Sequence, residues 1–290
     1  MKSFNIISRD LSTIFSHPYN KKNKFFAYLR YIFYLALRFF KINKISIRTW
    51  EDRRIIWYKD SIQSNWFLFN YIIDWEEFSL IKNRLKKDSI FLDVGANIGY
   101  YSIWASKFIT SGRIFSFEPN GQAFNRLVEN IKINNIIHNI TPINQAVSQK
   151  NGDIFMTNNL DTLNHILSTK DKIDFNSSVK VKSTTLDSFV DEYHINFIDY
   201  LKIDVEGFEL DVLLGAEKLF KEKRIGIVQL EINNALDHSS HTVFSITEFF
   251  DKNDYWLCQF DVDTGRLIKI DYSKLRENYF VTSAINLIHE

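Results

Sequence analysis

The sequence predicts an α/β fold: a mostly parallel sheet flanked by helices, with an antiparallel final strand and an N-terminal helical and hairpin extension. Three stretches carry that prediction. In residues 89–103, SIFLDVGANIGYYSI, the apolar run Ile90, Phe91, Leu92 and Val94 is broken by Gly95-Ala96-Asn97-Ile98-Gly99, after which Tyr100, Ile103, Trp104 and Phe108 recur at helical spacing. Residues 113–117 form a second apolar strand that ends in Glu118-Pro119-Asn120. Leu201, Ile203 and Val205 alternate with Lys202, Asp204 and Glu206 until Gly207 cuts the run, so a third strand delivers acids to its carboxyl end. Right-handed crossovers place such strand ends along one edge of a sheet, where ligands bind.

The chain has 290 residues and is 45% hydrophobic, enough for one sizeable core with an extension. Its 36 basic and 35 acidic residues leave a formal charge of +1, so no global basic field argues for nucleic acid. The single Cys258 excludes an intrachain disulfide and any Cys-rich zinc site. The N-terminus, MKSFNIISRDLSTIFSHP, has no continuous apolar stretch and no small-residue cleavage site, so the protein is expected to be cytoplasmic.

Residues 1–74 are expected to form the extension and residues 75–290 the α/β domain. Within about 24–44, the apolar stretch Phe25 to Phe40 is interrupted by Arg30 and Arg38 and falls short of the roughly 20 apolar residues of a membrane span. At 100° per residue, Arg30, Tyr34, Arg38, Lys41 and Lys44 fall within about 120° of the circumference, and Phe26, Leu29, Phe33, Leu37 and Phe40 within an adjoining arc of about 80°. This is a basic amphipathic helix with two readings: a peripheral anchor on anionic lipid, or a helix packed on the α/β domain or on a second subunit. Arg54 to Tyr58 and Trp66 to Phe69 read as the strands of a hairpin turned at Lys59-Asp60-Ser61. Trp75, Phe78, Ile81 and Leu85 then fit a helix leading into the central strand.

Glu118 lies 25 residues after Asp93. An acid roughly 20 residues past a glycine loop, on the neighbouring strand, is placed to accept hydrogen bonds from a ribose diol; the alternative is an acidic cap on the helix Gly121 to Asn134. A nicotinamide cofactor is disfavoured because GANIG lacks the central glycine of G-x-G-x-x-G. Further on, Ile140 to Ile143 reads as a third strand followed by Asn144-Gln145. Ser245 to Asp251 reads as a helix, Tyr255 to Phe260 as a strand, and Tyr279 to Ile288 as a stretch that holds the closing strand.

LDVGANIG, FSFEPN, Asn144-Gln145, Thr185-Leu186-Asp187-Ser188-Phe189, LKIDVEG and the strand Gly226 to Ile232 follow one another in an order that resembles the FkbM family of class I S-adenosylmethionine-dependent methyltransferases. The resemblance covers residues 75 to about 260. It implies a Rossmann-like sheet, S-adenosylmethionine as methyl donor, and O-methylation of a hydroxyl, foremost that of a sugar in a glycan or glycolipid. A secondary-metabolite hydroxyl and a non-catalytic membrane-associated scaffold of the same fold are the alternatives.

In that reading Gly95, Ala96 and Gly99 allow close backbone approach, and Asp93 and Asn97 hold the donor's amino-acid end. Glu118, followed by Asn120, holds its ribose, and Asn144 and Gln145 meet its adenine. Asp204, Glu206, Glu231 and His238 are the candidates for acting on the acceptor, with His241 in the same polar loop. Convergent carboxylates suit a general base or a hard divalent cation. With no His at ligand spacing in the motif, no metal is assigned.

Overall fold

The computed structural model describes residues 14–157, 178–231, 242–270 and 278–283. The chain divides into two units, Met1–Phe78 and Ser79–Glu290.

In the first unit, α1 (Pro18–Lys21) and α2 (Lys24–Phe39) precede β1 (Lys44–Arg48), which pairs antiparallel with β2 (Arg54–Tyr58); α3 (Ile62–Asn70) follows. The hairpin is therefore built from residues 44–58, and Trp66–Phe69, expected as its second strand, is helical. The cause is local. Ser61 Oγ accepts the Ser64 N–H (3.3 Å), and Ser64 Oγ donates to the Tyr58 carbonyl (2.8 Å), which caps a helix directly behind β2. A four-residue apolar run has no period of its own to distinguish strand from helix. On α3, Phe69 packs with Ala27 and Tyr31, and Leu68 packs with Leu37 and Trp57. Tyr34 joins the two clusters edge to face, 4.9 Å from Phe69 and 6.4 Å from Trp57.

α4 (Trp75–Arg84) spans the division between the units. After it come β3 (Ile90–Val94), α5 (Tyr100–Ala105), β4 (Arg113–Phe117), α6 (Gly121–Ile133), β5 (Ile140–Ile143), β6 (Ala146–Val147), β7 (Gly152–Thr157) and β8 (Ser178–Thr184). The chain continues through α7 (Leu186–Glu192), β9 (Ile198–Ile203), α8 (Glu209–Leu214), α9 (Glu217–Lys221), β10 (Ile225–Glu231), α10 (Val243–Lys252), β11 (Tyr255–Asp261), β12 (Arg266–Lys269) and β13 (Asn278–Ser283).

The main sheet has eight strands in the order β12-β11-β13-β10-β9-β3-β4-β5. Strands β5, β4, β3, β9 and β10 are parallel. The closing strand β13 runs antiparallel between β10 and β11, as the sequence predicts for a final antiparallel strand. Its expected continuation to Ile288 lies outside the described residues. A small sheet of β6, β8 and β7 stands apart from this one.

Parallel strands covered on both faces are buried throughout. Leu92, Val94, Phe115, Phe117, Leu201, Ile203, Val228 and Leu230 form one apolar face, each contributing on the order of 1.5–3 kcal/mol by burial. The residues between them necessarily point to the other face. That face carries Asp93, Ser116, Lys202 and Gln229, all buried.

Candidate active site

The chain leaves β3 through Gly95 (φ 78°), Asn97 (φ 49°) and Gly99 (φ 88°), three left-handed residues that fold it tightly back into α5. The Gly95 and Ala96 N–H groups both donate to the Phe117 carbonyl, at 3.0 and 2.9 Å, and tie the loop to the end of β4. A Cβ on Gly95 would fall on the Asp204 carbonyl oxygen, and one on Gly99 on the Leu127 side chain. Packing against β9 and α6 alone demands both glycines, whatever the loop faces.

Glu118 stands where this loop meets β4. Its Oε2 accepts the Asn97 N–H and its Oε1 the Asn120 N–H, both at 2.8 Å. The cap of α6 is Asn120, whose Oδ1 accepts from Gln122 N–H and Ala123 N–H at 3.0 Å each. Glu118 is therefore not the acidic cap that the sequence left open. Burial pushes its carboxyl up to about 7 against the pull of the two N–H donors. The Asn144 side chain donates from Nδ2 to the Glu118 and Pro119 carbonyls, at 2.8 and 3.1 Å, with half-buried Gln145 beside it.

One rung deeper, Ser116, Asp93, Lys202 and Gln229 are register partners on β4, β3, β9 and β10, so they form a continuous polar row on the face that α5 covers. Asp93 is fully buried. Its Oδ2 accepts from Ser102 N–H (3.1 Å) and from Ser102 Oγ (2.6 Å), which also lies 2.6 Å from Ser116 Oγ. Its Oδ1 has no hydrogen-bond partner and lies 3.7 Å from Lys202 Nζ. Lys202 Nζ donates to Asp204 Oδ2 (3.0 Å) and to the Gly95 carbonyl (3.3 Å), and sits 4.9 Å over the Tyr101 ring. Tyr200 donates its hydroxyl to Gln229 Oε1 (2.8 Å), and Gln229 Nε2 donates to Tyr101 Oη (2.9 Å), which extends the row.

Burial raises the Asp93 carboxyl above its usual range, with Lys202 and Ser102 pulling it back. Burial alone would lower Lys202, but the carboxylates of Asp204 and Asp93, with Glu231 beyond, outweigh it and hold the ammonium above its ordinary value. Asp93, expected to touch a ligand, has no exposed surface. It clamps the first turn of α5 and faces the ammonium of Lys202. Lys202, to which the sequence assigned no chemistry, is the hub. The available signal was a lysine alternating with apolar residues on a strand central enough to be buried on both faces.

Asp204 donates its N–H to the Val94 carbonyl (3.1 Å) and keeps a quarter of its side chain exposed at the crevice mouth. Half-buried Glu206 (φ 51°) and then Gly207 (φ 100°) turn the chain out of β9 in left-handed conformation, strain of a kind that clusters at functional sites. Glu209, an acid in the first turn of α8, is buried. Its Oε1 accepts the Gly207 N–H (2.9 Å), its Oε2 has no hydrogen-bond partner, and burial pushes it up to about 7. Glu231 ends β10 half-buried, and His238 and His241 lie outside the described residues.

Asp93 and Glu118 both sense the charges of Lys202 and Asp204 across the crevice. Among the described residues no three His, Cys, Asp or Glu side chains gather as a metal cage, and the cation between these carboxylates is Lys202. A separate cleft lined by Lys86, Asp88, Arg113, His194 and Asp199 opens at the amino ends of β3, β4 and β9, and shares no residue with this edge.

This geometry bears comparison with known proteins. The family described as the Methyltransferase FkbM domain matches residues 93–257. The hexuronic acid methyltransferase AglP of Haloferax volcanii is 27% identical over 172 residues, 59% of this chain and 67% of that protein. The 2-O-methyltransferase NoeI of Sinorhizobium fredii is 27% identical over 154 residues, 48% of this chain and 62% of that one. The crystal structure of a methyltransferase FkbM from Methylobacillus flagellatus superposes with a TM-score of 0.46 at 14% identity, covering 75% of this chain and 52% of that one.

Proposed function

The chain belongs to the FkbM methyltransferase family, and from that premise we propose that it transfers the methyl group of S-adenosylmethionine to a hydroxyl oxygen of a sugar in a glycan or glycolipid. The donor brings a methyl group already activated on a sulfonium, so the protein's part is to bind, align and take up a proton.

The observation that carries the reading is Glu118. Each carboxylate oxygen holds one backbone N–H and keeps a second lone pair, so the group meets the two O–H donors of a ribose diol without giving up the loop it organises. Asn144, whose Nδ2 is spent on carbonyls, retains Oδ1 as an acceptor beside Gln145, a polar pair suited to an adenine. Those acceptors fit the nucleoside. Asp93 is enclosed, and the Gly95, Ala96, Asn97 and Gly99 N–H groups are already bonded within the protein, so no contact to the amino-acid end is assigned.

Asp204 and Glu206, at the tip of β9, are the carboxylates placed to take the acceptor's proton, a step that contributes roughly 10²-fold to 10⁴-fold in such sites. Lys202 holds Asp204 through the 3.0 Å ion pair. A sugar acceptor is supported by the relative that is a hexuronic acid methyltransferase, and transfer to oxygen by the one that is a 2-O-methyltransferase. Calorimetry with S-adenosylmethionine, followed by transfer of a labelled methyl group to hexuronic-acid and neutral oligosaccharides, tests the reading. Saturable donor binding and label in a sugar ether are expected; a chain that ignores the donor refutes it.

A further inference from the structure

The orientation of α2 is opposite to that of an ordinary surface helix. Its inward stripe is Ala27, Tyr31 and Leu37 with half-buried Arg30 and Tyr34, and Arg30 donates to the Phe69 carbonyl (3.0 Å) and to Asn20 Oδ1 (2.6 Å). With the arginine turned inward, the apolar side faces out. Phe25, Phe26, Leu29, Ile32, Phe33 and Phe39 are all exposed, Phe25 at 68% and Phe39 at 79%. At 100° per residue, the arc from Leu35 round to Phe26 covers about half the helix, and no charged residue falls in it.

Charge frames this face. Between residues 11 and 50 the chain has eight basic residues and no acidic one. Lys21, Lys22 and Lys24 stand exposed at one end of the helix, and Lys41 and Lys44 at the other. We propose that this half-cylinder of α2 lies in the headgroup layer of an anionic membrane, with its aromatic and aliphatic side chains inserted and the lysines at both ends on lipid phosphates.

Dimensions agree with a helix lying in the plane. Its 16 residues extend about 24 Å, short of the ~30 Å hydrocarbon layer, and among the described residues no helix is long and apolar enough to cross a membrane. A second copy answers the pattern less well. Whichever way two such faces pair, lysine ends meet lysine ends, and residues 11–50 hold no carboxylate to balance them. An anionic leaflet supplies that balance, and the apolar arc supplies the affinity that charge alone does not. The inference rests on the first unit and is independent of methyl transfer.

Flotation of the full chain with vesicles of phosphatidylcholine alone, or of equal parts phosphatidylcholine and phosphatidylglycerol, tests it. The full chain is expected to float with the anionic vesicles and to stay largely soluble with the neutral ones. Lys22→Gln and Lys41→Gln should each weaken recovery about fivefold. The double variant Phe25→Ser, Phe39→Ser should abolish binding while keeping its thermal unfolding, because both rings are already in solvent. Three results would overturn the proposal: equal recovery with both lipids, no vesicle binding at all, or a dimer in solution that the phenylalanine variant dissolves while vesicles capture nothing.

Discussion

Replacing Glu118 by Gln tests both the electrostatics of the crevice and its assignment. The carboxyl is displaced from its ordinary 4.5 to about 7 by burial. At ~1.4 kcal/mol per pH unit, that displacement corresponds to about 3 kcal/mol. The folded protein retains this proton up to about pH 7, whereas the unfolded chain releases it near 4.5, so the folded state binds more protons in between. Stability without ligand should therefore be highest below the unfolded value, fall by about 3 kcal/mol per such group as pH rises through that window, and level off above it. Glu209, also pushed up to about 7, adds a second contribution of the same sign.

Urea unfolding of wild type and Glu118→Gln between about pH 4 and pH 8 measures the slope directly. The variant should lose about 3 kcal/mol of the pH dependence and keep the part owed to Glu209 and Asp93. Donor binding has the opposite sense, because a diol donating to the carboxylate favours its ionised form. Affinity for S-adenosylmethionine should rise through pH 7 in the wild type and be flat and weaker by at least about 10²-fold in the variant, as two hydrogen bonds to a charge at ~1.5–3 kcal/mol each require. Parallel stability curves would refute the burial argument. Equal donor affinities would refute the ribose assignment.

Three further predictions follow from the same geometry. Gly95→Ala should cost more than about 2 kcal/mol in thermal unfolding and abolish donor binding, because the added Cβ meets the Asp204 carbonyl in a left-handed backbone; a stable variant that still binds would show that β9 yields. Lys202→Met leaves Asp93 and Asp204 without their cation and should destabilise the fold by about 3–5 kcal/mol in urea, against nearly nothing if the row were solvated. Asp204→Asn should leave donor affinity unchanged and lower kcat by roughly 10²-fold to 10⁴-fold, and an undiminished rate would move the proton acceptor to Glu206 or elsewhere.

The strand, glycine turn and helix of residues 90–105 were legible in the sequence because the signals that mark them are local, an apolar run, glycines, then helical spacing, even though β4 and β9 complete the strand's pairing. The position of Glu118 beside the β3 loop was legible for a related reason, since a right-handed crossover brings one strand end beside its neighbour. The Trp66–Phe69 strand failed because four apolar residues carry no period, and a serine cap decided the outcome. Lys202 was unreadable as a hub. Its surroundings come from residues 93, 101, 204 and 231, and only the register of β3, β9 and β10 assembles them.

Helix α2 divides the two sources of information most sharply. Sequence alone determined that an amphipathic helix lies within about residues 24–44, because periodicity is a property of the chain; the structure ends it at Phe39 and gives Lys44 to β1. Which stripe faces inward was decided by the tertiary structure, where the Phe69 carbonyl and Asn20 offer Arg30 hydrogen bonds that turn the apolar arc to the outside. Helical periodicity repeats along the chain, but the partner that satisfies a buried donor lies tens of residues away, and only folding brings it within reach.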